Sequence, residues 1–440
     1  MSGLARRLKA EGYSEEPYWW LEARPSAPPP QPLPARADVL VIGAGYAGLN
    51  CALPLARRGV SVLVVDAEMP GFGGSSRNGG QLGSGWFMID LAAEDQGAMK
   101  ARVESANESL AHAIGLMEQE GLAADCYQPV GKVSAAFAPA HLEKMRRKAE
   151  WAAANSDLPV TLLDRAGLAE ELGSDFYFGG VCIALGGLVQ PARYLAGLLA
   201  RAEAAGVEIR APVRVTELER VVGGYRVTTT AGSLDCTEVV VATNGYTGPA
   251  TPELQRKVVP LASYIIATEP LPEGLPERLI PKRRGVSDTA RVLAYYRLSP
   301  DGRRMLFGGR SSFRSLAAGE GARGLQRMMV RRFPALAEAR ITHAWMGNVA
   351  FARDRLPHMG SAEGLHWALC CNGSGVAMMS YLGSKIARRL LDRPNAPLCA
   401  FDGGAFPGIP LYRGDPWFLP AVGTTYRFRD FLDRLWARAA

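Results

Sequence analysis

At 440 residues the chain is longer than one hydrophobic core usually supports, so two interleaved domains are expected. Its 48% apolar and 21% charged content, with 49 Gly and 30 Pro, excludes a disordered or fibrous protein. The net charge of +7 comes from scattered pairs such as Arg57-Arg58 and Arg303-Arg304, without the stripe or interleaved aromatics of a nucleic-acid surface, so no nucleic-acid partner is expected.

In chain order, Tyr13-Ser-Glu-Glu-Pro-Tyr-Trp-Trp20 stands where a secretory leader needs an apolar run. No stretch approaches membrane-spanning length free of Gly and charge, and a cytoplasmic protein with no integral membrane segment is expected. Residues 25–34 form a proline-rich extended arm laid across the body. From Ala37 a buried parallel strand leads to a Gly-rich turn and a helix, with a kink expected at Pro54 and a stop at Gly59; Val60 to Val65 is the next strand. Helical periodicity follows over 91–121 and 139–156. Gly186-Gly-Leu-Val-Gln-Pro191 breaks it, and a helix over 192–205 precedes the strand Val207 to Arg210. Hairpin strands around 213–230, the strand Val239 to Ala242 and a strand-rich block over 256–312 come next. The strand His366 to Cys371 and a helix from Gly375 to Leu391 restore the alternation.

The implied fold class is α/β plus α+β, with a discontinuous Rossmann-type domain (37–90, 180–255, 345–400) and a mainly antiparallel-sheet substrate domain (256–344). Residues 1–36 are an arm, 91–179 a helical cover and part of the substrate domain, and 401–440 a C-terminal tail.

Gly43-Ala-Gly45-Tyr46-Ala47-Gly48 matches G-x-G-x-x-G between a strand and a helix. Gly43 allows the tight turn, Gly45 the approach of a pyrophosphate, and Gly48 the close packing of helix on strand, while the first helical amides face the phosphates. Asp66, with Ala67 beside it, ends the next strand near the roughly 20-residue spacing of the acid that accepts ribose hydroxyls. The pattern alone admits NAD or FAD. The loop over 71–81 contains Ser75, Ser76, Arg77, Asn78, Gly79, Gly80 and Gln81, which can lay amides and hydroxyls along a pyrophosphate and a flavin edge.

Ser75-Ser-Arg-Asn-Gly-Gly-Gln81 resembles the flavin loop of the D-amino acid oxidase-like superfamily, most closely its gamma-glutamylputrescine oxidoreductase branch. The resemblance continues through Gly187–Leu195, Val240–Tyr246, Pro260–Leu271 and Leu306–Arg310. It implies FAD as cofactor, adenine contacts at Val215, and flavin-side roles for Thr243, Asn244, Arg355, Asn372, Gly373, Ser374, Gly375 and Val376. The helix N-terminus after Asn372 would favour negative charge on reduced flavin. Relatives that bind flavin covalently use a His near Arg77 or Asn78 or a Cys near Gly347; neither residue type stands there, so non-covalent FAD is expected. Where sarcosine oxidase-like relatives place lysines for oxygen activation and for the substrate carboxylate, this chain has Leu306 and Ala377. Oxygen or another acceptor is therefore left open, and a longer amine is favoured over a simple α-amino acid. Seven cysteines, odd in number and without CxxC spacing, fit neither a disulfide framework nor a zinc site. Five histidines show no metal spacing, no metal is expected, and His358 reads as a packing residue.

The substrate-side candidates are Tyr264, Trp345 and Arg310, with Tyr295 and Tyr296, of which strand alternation lets only one face a cavity. The expected partner is a small-molecule amine, oxidised at its C–N bond to an imine that hydrolyses to an aldehyde plus amine or ammonia; a homo-oligomer is compatible. The alternatives are a D-amino acid or N-methyl amino acid oxidase or dehydrogenase, an NAD-dependent dehydrogenase, and a flavin-stabilised assembly subunit.

Overall fold

The computed structural model describes residues 4–393 and 396–439. The apolar run Arg36–Ile42 pairs in parallel with Val62–Val65 on one side and Gly232–Val241 on the other, the arrangement that covered, continuously apolar strands adopt. Around these three an eight-stranded sheet extends to Glu208–Arg210 at one edge and the hairpin Val215–Val221 and Gly224–Thr229 at the other. Leu365–Leu369 adds in parallel to Gly232–Val241, so the last third of the chain returns to the first sheet.

Helix Tyr46–Ala56 is buried along nearly its whole length between this sheet and helix Gly375–Asp392. Their crossing is tight because a Cβ on Gly383 would lie 2.2 Å from the Ala47 carbonyl oxygen. Pro54 falls in the last turn, where it removes a single helical hydrogen bond, and Gly59 stops the chain in the left-handed region at φ 78°.

A nine-stranded, mainly antiparallel sheet forms the second layer, with Ile341–Phe351, Val259–Thr268, Met305–Gly309, Ala294–Leu298, Gly285–Asp288 and Lys132–Ala135 adjacent in that order. Strand alternation gives it two faces. Val133, Tyr264, Ile266, Val286, Tyr296 and Phe307 pack beneath helix Ala318–Arg332, with the Tyr296 and Phe307 rings stacked 5.4 Å apart. At that buried face Arg332 binds Asp288 and donates to the Tyr177 hydroxyl at 2.8 Å. The opposite face lines a cavity.

The expected boundaries assign 180–183 and 345–351 to the nucleotide domain, whereas hydrogen bonding places both in the nine-stranded sheet. Likewise Lys9–Ser14, in the expected arm, pairs with Ile341–Phe351. The expected tail contains the helix Leu419–Ala439, and Asp430 and Asp433 on it pair with Arg291.

Candidate active site

A single continuous cavity of about 1280 Å³ runs from the glycine turn to the nine-stranded sheet. Pockets for drug-sized ligands measure roughly 300–1,000 Å³, so this cavity is larger than one small ligand requires.

The nucleotide end is built by the turn after Ile42. Gly43 has φ 108°, and a Cβ there would approach the Ala242 carbonyl oxygen to 2.9 Å. A Cβ on Gly48 would lie 1.9 Å from the Gly43 carbonyl oxygen, so glycine is what lets the helix close on the strand; Gly48 packs there and does not line the cavity. Gly43, Gly45, Tyr46 and Ala47 do. Asp66 and Ala67 line the same end, and Asp66 accepts the Ala44 amide at 2.8 Å and the Glu68 amide at 3.0 Å. Burial raises its carboxyl pKa, while those amides oppose the shift. Two amides leave the carboxylate with lone pairs for ribose hydroxyls. Val215 lines the cavity as well.

The loop after Gly71 is fastened at nearly every residue. Ser75 Oγ accepts the Tyr46 amide at 3.0 Å and faces the cavity. Asn78 donates to the Ser75 carbonyl at 2.9 Å and accepts the Gly80 amide at 2.8 Å. Arg77 donates to the Phe72 carbonyl at 2.6 Å and stacks its guanidinium on Phe72 and Trp20; burial lowers its pKa. Gln81 ties the loop to the sheet through the Val286 and Tyr296 carbonyls, each at 3.2 Å. Arg77, Asn78, Gly79 and Gln81 line the cavity. Ser76 and Gly80 do not: Ser76 is fully buried and accepts the Trp20 indole N–H at 2.9 Å, and Gly80 turns at φ 64° against the Val189 carbonyl.

Thr243, Asn244 and the segment Asn372, Gly373, Ser374, Gly375 and Val376 complete this half. Asn244 Oδ1 accepts the Cys370 amide at 3.0 Å, and helix Gly375–Asp392 opens on the cavity without a side-chain cap, leaving its first amides for a ligand. The donor set, the close-approach glycines and the acid at Asp66 fit FAD. Arg355 is set apart from the others, being exposed and donating to the Tyr426 hydroxyl at 2.7 Å.

The substrate-side candidates separate by register. Ser263, Ile265 and Leu261 face the cavity, so Tyr264 faces the core, where its hydroxyl accepts the Leu316 amide at 2.7 Å. Trp345 is fully buried against Trp19 and donates to the Arg77 carbonyl at 2.8 Å; it supports the flavin loop without lining the cavity. Tyr295 faces the cavity, with its hydroxyl 3.0 Å from Ser263 Oγ, and Tyr296 faces the core. Arg310 lines the cavity over the Phe351 ring, its pKa lowered by burial. Leu306 and Ala377 are buried in packing clusters off the cavity, so neither position informs on oxygen use or on the substrate carboxylate. His358 is buried, stacks on Phe406 and lies 3.1 Å from Asp354. Among the described residues no group of His, Cys, Asp and Glu could hold a metal ion, all seven cysteines are free, and no helix is long and apolar enough to cross a membrane.

Sequence reasoning missed the supports of the loop and one wall of the cavity. Trp19 donates to the Asn78 carbonyl at 2.9 Å, Gln190 donates to the Trp19 carbonyl at 3.1 Å, and Arg297, buried with its pKa pushed down to about 9, donates to the Gly80 carbonyl at 2.9 Å. The aromatic Tyr18-Trp19-Trp20 was the available signal. The missed wall carries Trp86, Phe87, Lys132, Lys144 and Lys148.

The sequence pattern of the family described as FAD dependent oxidoreductase (DAO) matches residues 38–389. "Probable oxidoreductase OrdL" of Rhizobium meliloti is 31% identical over 94% of this chain and 97% of its own length. The gamma-glutamylputrescine oxidoreductase of Escherichia coli is 30% identical over 85% of this chain and 87% of its own. Among solved structures, glycine oxidase from Geobacillus kaustophilus superposes with a TM-score of 0.72 at 20% identity, covering 86% of this chain and all of that one, a likeness of fold.

Proposed function

The chain belongs to the DAO family of FAD-dependent oxidoreductases, and from that premise we propose that it oxidises the C–N bond of a small ω-amino or N-substituted amine. Bound FAD supplies the two-electron acceptor for the hydrogen on the carbon beside nitrogen. The amine then leaves as an imine, which water converts to an aldehyde plus amine or ammonia.

The observation that carries the reading is the continuity of the cavity from Gly45 to Tyr295, Ser263 and Arg310. Tyr295 presents a ring to the cavity and fixes its hydroxyl on Ser263, so an aromatic wall is held rigid beside the loop that grips the cofactor. Arg310 supplies a guanidinium able to grip an acidic group on the substrate in a bidentate manner. Similarity to a gamma-glutamylputrescine oxidoreductase supports an amine on a longer chain.

The test is anaerobic stopped-flow bleaching of the flavin. ω-Amino compounds and N-substituted amines are expected to reduce it faster than glycine, sarcosine or D-alanine. Sarcosine or D-alanine as the fastest reductant would replace this reading with an amino acid oxidase or dehydrogenase.

A further inference from the structure

The wall made by strand Lys132–Ala135 and helix Pro139–Asn155 carries Lys132, Lys144 and Lys148, which form no salt bridge among the described residues. Lys132 and Ser134 project to the cavity, while Val133 and Ala135 fill the core behind them. The Lys132 amine lies 3.6 Å from where a Cβ on Gly83 would sit, which places it against the loop that follows Gln81. Lys148 reaches the same cavity from the helix, with its amine 5.1 Å from the centroid of the Trp86 ring. Phe87 lies beside them and Lys144, exposed, stands one turn earlier.

The nearby acids are engaged elsewhere. Asp288 is held by Arg332, and Asp433 by Arg291 and His141. Asp90 acts weakly on Lys148, and Lys144 opposes it. Both lysines are half-buried at the cavity wall, where partial loss of water disfavours an ammonium without an acceptor, and desolvation lowers both amines to about 8. The phosphates of a dinucleotide have their own donors at the glycine turn and first helical amides, at Gly45, Tyr46 and Ser75. A flexible substrate chain along Trp86 and Phe87 ending in a carboxylate would satisfy both.

We propose that Lys132 and Lys148 form a carboxylate-binding subsite for the end of the substrate distal to the oxidised amine. The substrate class is then an ω-amino compound bearing a terminal carboxylate. The amine end rests on the reading above; the subsite rests on the cavity wall alone.

Two probe pairs separate these claims. Glutarate and glutaramide, non-reactive, are titrated against the holoenzyme and followed by perturbation of the flavin spectrum. 6-Aminohexanoate and 6-aminohexanamide are compared as anaerobic reductants. Glutarate is expected to bind at least tenfold tighter than glutaramide, and K132M and K148M each to cut that ratio below threefold with FAD content unchanged. Removing a half-buried charge that makes no salt bridge should not unfold the protein, and the pH dependence of glutarate binding puts the same question to the unmodified enzyme. Equal affinity for the two probes, or no response to either, overturns the subsite. So does a ratio that survives both lysine variants and disappears in R310M. If glutarate binds through the lysines while no amine reduces the flavin, the subsite stands and the amine reading falls. If amines reduce it but acid and amide behave alike, the reverse holds.

Discussion

Replacing Arg332 with Met should destabilise the protein by about 3 kcal/mol, within the range for stripping one partner from a buried ion pair. Both side chains are almost wholly removed from solvent, at 4% and 0% exposure, so water cannot replace the lost guanidinium. Asp288 would keep the Ala290 amide at 3.3 Å, the Ala294 amide at 3.1 Å and the Tyr177 hydroxyl at 3.4 Å, which holds the cost to the lower end. Asp288→Asn should cost about 2 kcal/mol because an amide oxygen still accepts those donors. The double variant should also cost about 2 kcal/mol, leaving a coupling of about 3 kcal/mol. The assay is urea unfolding by tryptophan fluorescence with excess FAD, so that cofactor release does not add to the difference. Additive single effects, or an Arg332→Met variant within 1 kcal/mol of wild type, would refute the reasoning.

Gly48→Leu sets a Cβ 1.9 Å from a backbone oxygen, and the variant should purify with less than about a tenth of the wild-type flavin absorbance; a fully yellow protein would contradict the geometry. Acid precipitation should leave all FAD in the supernatant, since Arg77, Asn78 and Gly347 offer no attachment chemistry; fluorescence travelling with the denatured band would show a covalent link. Glutarate affinity should be level between about pH 6 and 7, where its carboxylates are ionised, and fall as Lys132 and Lys148 deprotonate near 8, by up to about tenfold per unit for each, with Lys144, His141, Arg291 and Asp90 as the other charged groups near them and Asp288 turned to Arg332. Stability takes the opposite sign, because the unfolded chain binds more protons between about 8 and 10.5, so urea midpoints should rise with pH across that window.

The nucleotide half was legible because its requirements are local. Gly48 and Asp66 each answer to a neighbour within one strand–turn–helix–strand unit, at the Gly43 carbonyl and the Ala44 amide, and spacing places them, although Gly43 also closes on the distant Ala242. The substrate half depends on which residues face which way across a sheet whose strands are far apart in sequence. Lys132 lies beside Gly285 only because two distant segments pair in parallel, and nothing in either segment announces that register. Tyr264 looked like a cavity residue beside Ser263, yet period-2 alternation sends it to the core. Trp345 has the right parity but is covered by Trp19 and the Arg77 carbonyl. Arg310, read from the sequence as the basic partner of an acidic substrate group, does line the cavity, whereas Lys132, Lys144 and Lys148 on the same cavity come from a segment read chiefly as cover.

The hold of Trp19 and Trp20 on the loop at Ser76 and Asn78 bears on the order of events during synthesis. These indoles emerge from the ribosome before the loop does, but the surfaces that bury them, Ile265, Leu306 and Trp345, emerge hundreds of residues later. Until strand Ile341–Phe351 has been translated, Trp19 lacks its packing against Trp345, and the Arg77 carbonyl lacks the indole N–H that holds it. The loop is therefore complete only when residues from both ends of the chain have met, and a ribosome-bound fragment stopped before Ile341 should retain less flavin than the full chain.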